Sequence, residues 1–101
     1  MAELLEHLTG KGTVFNKQVE IAKVQYEVRT YQEYIDTTSN AGPSRIPGAR
    51  FSELQLVSSK PIEMTRDRLT LIMADGRKLN FIFHVVNLCE ATGKGTGPIY
   101  S

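Results

Sequence analysis

Two apolar runs joined by a short polar turn, LTLIMADGRKLNFIFHVV over residues 69–86, form the clearest pattern in the chain. Gly76 tolerates positive φ, so Ala74, Asp75 and Gly76 make a favoured three-residue hairpin loop, a type I turn closed by a glycine bulge. Met73 then faces Arg77, Leu71 falls opposite Leu79 and Leu69 opposite Phe81, which gathers large apolar side chains on one face of both strands. A two-residue Asp75-Gly76 loop would instead set Leu71 against Asn80 and Met73 against Lys78. The pattern selects the longer loop.

The same period of two runs through residues 19–35, VEIAKVQYEVRTYQEYI, where Ala22, Val24, Tyr26, Val28 and Thr30 share one face and Lys23, Gln25, Glu27 and Arg29 the other. This is the signature of a half-buried antiparallel strand. Straight, it would span about 55 Å, against a radius of gyration near 13 Å for a spherical domain of this size. A bend or bulge near residues 30–32 is therefore expected, because Tyr31 and Ile35 place apolar character on the parity that had been charged.

Residues 12–15 read as a first strand and 51–58 as another, with Leu54 and Leu56 on one side of the latter and Phe51 and Val57 on the other. In residues 78–86 both parities are apolar, Leu79, Phe81, Phe83 and Val85 against Ile82 and Val86, so both faces call for cover. Leu4, Leu5 and Leu8 have the spacing of a short helix over residues 2–9, ended by Gly10, and such a helix must dock on the domain or on a second copy. Pro61 confines the next piece to an edge or an irregular turn.

Residues 37–50, TTSNAGPSRIPGAR, carry no usable periodicity and are expected as a long loop, the kind of segment where binding sites concentrate. Residues 93–101, with Gly93, Gly95 and Gly97, are expected to fray as a flexible tail. Gly-Lys-Gly-Thr occurs at residues 10–13 and 93–96, but the flanks TVFNKQ and GPIYS are unrelated. The match reads as coincidence, or as two ends meeting where first and last strands pair.

A chain of 101 residues is expected as one domain over residues 1–101, with a core that needs no staples. Lys and Arg number 12 against 11 Asp and Glu, leaving a net charge of +1 and no overall field of the kind that wraps nucleic acid. Cys89 stands alone, which excludes an internal disulfide and fits a reducing, cytoplasmic compartment. Neither a signal-peptide pattern nor a membrane-spanning apolar run is visible.

Tests for chemistry return little. Both Gly-Lys-Gly-Thr copies fail as phosphate loops, since a glycine separates Lys from Thr and Leu5 and Leu88 occupy the place of the first glycine. His7, His84 and Cys89 match no zinc spacing, and along an extended strand His84 lies about 16 Å from Cys89, too far to activate a thiol. Scattered carboxylates, Glu27, Glu33, Asp36, Glu53, Glu63 and Asp67, fit a solvated face. The nearest thing to a recognition set is Arg29, Tyr31, Tyr34, Arg45 and Arg50, with Arg45 and Arg50 on the expected loop and the other three on the adjoining strand.

The expected fold is mainly β, a small antiparallel β-barrel or strongly curled sheet of about six strands with a short N-terminal helix, a β-sandwich being the alternative. The expected function is a non-enzymatic binding module that recognises a partner protein or a small anionic ligand through residues 37–50 and the adjoining strand, without cofactor, metal, nucleic acid or membrane. Two alternatives stand beside it: a small enzyme or accessory with a pocket in the barrel mouth, and a homodimeric assembly protein built through the N-terminal helix.

Overall fold

The computed structural model describes residues 2–39 and 42–101, the side chains of residues 37–39 and 43–45 lying outside the description. In chain order the strands are β1 (Ala2–Asn16), β2 (Val19–Ser39), β3 (Gly42–Ser58), β4 (Leu69–Ile72), β5 (Lys78–Asn87) and β6 (Glu90–Gly95). Every neighbouring pair is antiparallel. The order β1-β2-β3-β6-β5-β4 returns to β1 through residues 13–15 against 70–72, so one sheet forms a ring rather than two sheets a sandwich.

The hairpin of β4 and β5 has the register its loop chemistry demands: Leu69 opposite Phe81 and Leu71 opposite Leu79. Gly76 has φ 87°, its amide donates to Met73 O at 2.9 Å, and the Met73 amide donates to Arg77 O at 2.8 Å. Within the turn, Asp75 accepts from the Arg77 amide at 3.0 Å and from Arg77 Nε at 2.6 Å.

Leu69, Leu71, Leu79, Phe81, Val14, Val28, Leu54 and Leu56 are fully buried and fill the ring. A ring of few strands is narrow, so large inward side chains need small ones opposite. The two Gly-Lys-Gly-Thr segments meet that need. They lie on β1 and β6, which occupy opposite sides of the ring and do not pair with each other. A Cβ on Gly10 would sit 2.7 Å from Tyr26 Oη, and one on Gly93 would sit 2.9 Å from a ring carbon of Phe81. Each copy turns glycine inward and leaves its lysine, Lys11 or Lys94, exposed.

Four expectations are corrected. Residues 2–9 form no helix; they belong to β1, which pairs with β2 from Ala2 opposite Glu33 to Asn16 opposite Val19. A bulge between Leu4 and Glu6 breaks the period of two, and this imitates helical spacing in Leu4, Leu5 and Leu8. With no helix, the outer parity of β5 stays bare: Ile82 is exposed, and so is Val85, which a bulge between Phe83 and Val85 turns out of the core while Val86 packs on it.

Residues 37–39 and 42–50 are strand rather than a long loop, for β2 runs 21 residues to Ser39 and β3 begins at Gly42. The irregularities expected near residues 30–32 fall in the neighbouring strands, between Leu4 and Glu6 of β1 and opposite Gln32 and Tyr34 in β3, so the inward parity of β2 runs unbroken from Val28 to Gln32. An elongated molecule accommodates the long strand: it measures 56 × 26 × 21 Å with a radius of gyration of 15.9 Å, beyond the roughly 13 Å of a spherical domain of this length. Among the described residues β6 pairs with β3 only from Glu53 onward, so the outer amides of the remainder of β3 need no sheet partner and Pro47 does no harm.

Residues 93–101 are not a free tail either. Gly93 and Gly95 lie in β6, and Tyr100 exchanges two backbone hydrogen bonds with Lys78, at 2.6 and 2.9 Å, while Ile99 packs on the core. Among the described residues, no helix is long and apolar enough to cross a membrane.

Replacing Gly93 by Ala should cost about 1–3 kcal/mol in urea unfolding, since the Ile82 carbonyl and the Phe81 ring must both shift, whereas Gly97→Ala, with open space around it, should stay within about 0.5 kcal/mol. The Arg77 amide, with the Arg77 guanidinium, holds the Asp75 carboxyl below its ordinary value of 3.8. Its contribution to stability is therefore present above that value and lost as pH falls through the lowered one. Asp75→Asn should be less stable than the parent near neutrality, with the gap in urea midpoints closing as pH drops below 3.8.

Candidate functional site

Beyond the ring, β2 and β3 continue as an arm, and the two faces of that arm exchange character. On the inward parity, successive cross-strand pairs are Val28 with Leu54, Thr30 with Ser52 and Gln32 with Arg50. The interior thus passes from hydrocarbon through a hydroxyl pair, 2.9 Å apart, to an amide and a guanidinium.

Gln32 is only 6% exposed, and a buried amide must find partners for both its ends. Its Nε2 donates to Gly48 O at 2.9 Å and to Glu33 O at 3.0 Å, and its Oε1 accepts from Arg50 Nε at 2.8 Å. Those bonds sit on a second irregularity: Gln32 faces Arg50 but Tyr34 faces Pro47, so β3 carries one extra residue at positions 48–49. The bulge shifts β3 by one place, which returns Ile46 to the same face as Phe51.

The outer face of the arm therefore carries a run of apolar groups. Leu4, Tyr31 and Phe51 are register neighbours across β1, β2 and β3. The rings of Tyr31 and Phe51 stack at 5.2 Å with 20° between planes, and Lys94 Nζ lies 5.8 Å from the Phe51 centroid. Further out, Ile35 faces Ile46, and both are at least half exposed, at 57% and 50%. Toward the ring the same face becomes charged, with Glu27 bridging Arg29 and His7 Nε2, the latter at 3.2 Å.

The five residues singled out from sequence separate. Arg29 and Tyr31 share the outer face, but Arg29 is neutralised by Glu27. Arg50 turns to the other face and Gln32. Tyr34 lies on the arm opposite Pro47, half-buried. Arg45 is in β3 opposite Asp36, and its side chain lies outside the described residues. Sequence reasoning missed Gln32, Phe51 and Lys94. Gln32 could have been found by extending the inward parity of β2 two places past Thr30, where a buried amide needs an explanation.

Among the described residues no group of three or more His, Cys, Asp or Glu side chains could hold a metal ion. Cys89 is a half-buried free thiol, and His84 is exposed on β5. No family model matches the chain, and neither a curated protein nor a solved structure matches it.

Gln32→Leu should lower stability by about 1–3 kcal/mol, because it removes the side-chain donor of the Gly48 and Glu33 carbonyls. In hydrogen exchange the loss of protection should fall on residues 34–39 and leave β4 unchanged.

Proposed function

We propose that the chain is a non-enzymatic binding module, a small barrel whose β2–β3 arm grips a partner protein by its outer face. What supports this reading is the run of Tyr31, Phe51, Ile35 and Ile46 on one side of a projecting ribbon. Packing the ring does not require it. Apolar groups gathered on an exposed face mark contact sites, and aromatic anchors such as tyrosine dominate the energetics of many protein interfaces. Full burial of one such isoleucine is worth about 1.5–3 kcal/mol, so the pair alone would supply useful affinity.

Charge bears on the partner's identity. Glu33 occupies the outer parity between Tyr31 and Ile35 and is exposed. A two-fold pairing of two arms centred there would bring two carboxylates together, which disfavours self-association. The occupant is accordingly a different protein, apolar at its centre, with a lysine or arginine placed opposite Glu33.

A photo-reactive residue at position 46, compared with one at position 25 on the ring, tests this in the cells of origin. Position 46 should yield an adduct with a different protein that is lost in an Ile35→Lys and Glu33→Lys double variant with unchanged melting temperature; position 25 should not. The reading is overturned if position 46 yields none, if both positions react alike, if the double variant reacts as the parent does, or if the adduct is a second copy of the chain.

A further inference from the structure

At the arm's base, on the side of Thr30 and Arg50, a trough of 410 Å³ lies between Glu6 of β1, β2 and β3, the β4–β5 turn and the C-terminal residues. Thr30, Ser52, Arg50, Arg77, Ile99 and Tyr100 are among its lining residues. We infer that this trough is a binding site for a small organic oxyanion, a carboxylate or phosphate ester, held by the guanidinium of Arg50. This site is separate from the outer face of the arm and does not depend on it.

Three observations carry the assignment. The first is preorganisation. Arg50 Nε is tied to Gln32 Oε1 at 2.8 Å, and Gln32 is itself pinned to the carbonyls of Gly48 and Glu33. One edge of the guanidinium is thereby anchored, leaving its Nη donors for a planar oxyanion.

The second is charge. Arg77 lies between two carboxylates, Asp75 at 2.6 Å and Glu6 at 3.6 Å. Arg50 by contrast has a neutral amide as its partner and, among the described residues, forms no ion pair. Among the described residues Arg50 is thus the lining guanidinium that no carboxylate pairs, in a trough that Glu6 and the last residue, Ser101, also line.

The third is the lining. The paired hydroxyls of Thr30 and Ser52, 2.9 Å apart, share one of their two protons and keep lone pairs and a donor for a polar ligand body. Ile99 adds an apolar wall. The volume falls within the range of small-molecule sites and is far larger than a bare ion requires.

The test is a ¹⁵N NMR titration of the full chain with inorganic phosphate, phenyl phosphate and benzoate. At least one probe should give saturable shifts at the Arg50 Nε–H and at the Thr30 and Ser52 amides. Phenyl phosphate binding tighter than benzoate would assign the site to phosphate esters, and the reverse order to carboxylates. Arg50→Gln should weaken binding by about tenfold or more, Arg50→Lys should retain part of it, and Arg29→Gln, on the outer face, should leave it unchanged. Thermal melting confirms that each variant is folded. Shifts that remain linear for all three probes, that fall on the outer face, or that persist unaltered in Arg50→Gln overturn the assignment. A structural Arg50 would lower melting temperature on replacement without any saturable response in the parent.

Discussion

From Ala22 onward β2 keeps its two faces in phase, and its neighbours absorb the irregularities: β1 with an extra residue at Leu5, β3 with one at positions 48–49. A one-residue slip in a strand would send every following side chain to the opposite face. Because β2 does not slip, Val24, Tyr26 and Val28 line the interior, and Thr30 and Gln32 continue the same row past the end of the hydrocarbon core. Gln32 holds the arrangement, since its amide ties together the backbone at Gly48 and the side chain of Arg50.

That constancy of phase explains how one ribbon offers two different surfaces. Inside the ring, the inward face is greasy and the outward face charged, with Arg29 paired to Glu27 and His7 Nε2 beside the same carboxylate. At the base of the arm the relation inverts: Thr30, Ser52, Gln32 and Arg50 make the inward row polar, while Tyr31, Phe51, Ile35 and Ile46 stand on the outer side with Glu33 between the two pairs. The bulge in β3 places Phe51 and Ile46 together on that outer side. Without it Ile46 would fall on the face of Arg50, away from Phe51.

Legibility from sequence follows the same logic. The 69–86 hairpin is readable because its loop residues and its cross-strand apolar pairs demand one register, and that register forms. β1 is not readable because the bulge at Leu5 destroys the alternation and leaves a leucine spacing that a short helix shares. The arm is hidden by composition: Ser, Gly and Pro read as loop, yet a two-stranded ribbon with a free edge makes few demands on its residues. The candidate surfaces are legible only in part. Tyr31 and Ile35 announce themselves by parity, but the meeting of Gln32 with Arg50 across a residue insertion requires the long-range register itself.

Cross-strand nuclear Overhauser effects over the arm test the account most directly. The account predicts that Tyr31 faces Phe51 and Ile35 faces Ile46, the two pairs differing by one place in register. Contacts placing Ile35 opposite Pro47, the partner it would have without the extra residue in β3, would contradict it, as would the absence of any cross-strand contact beyond Gln32.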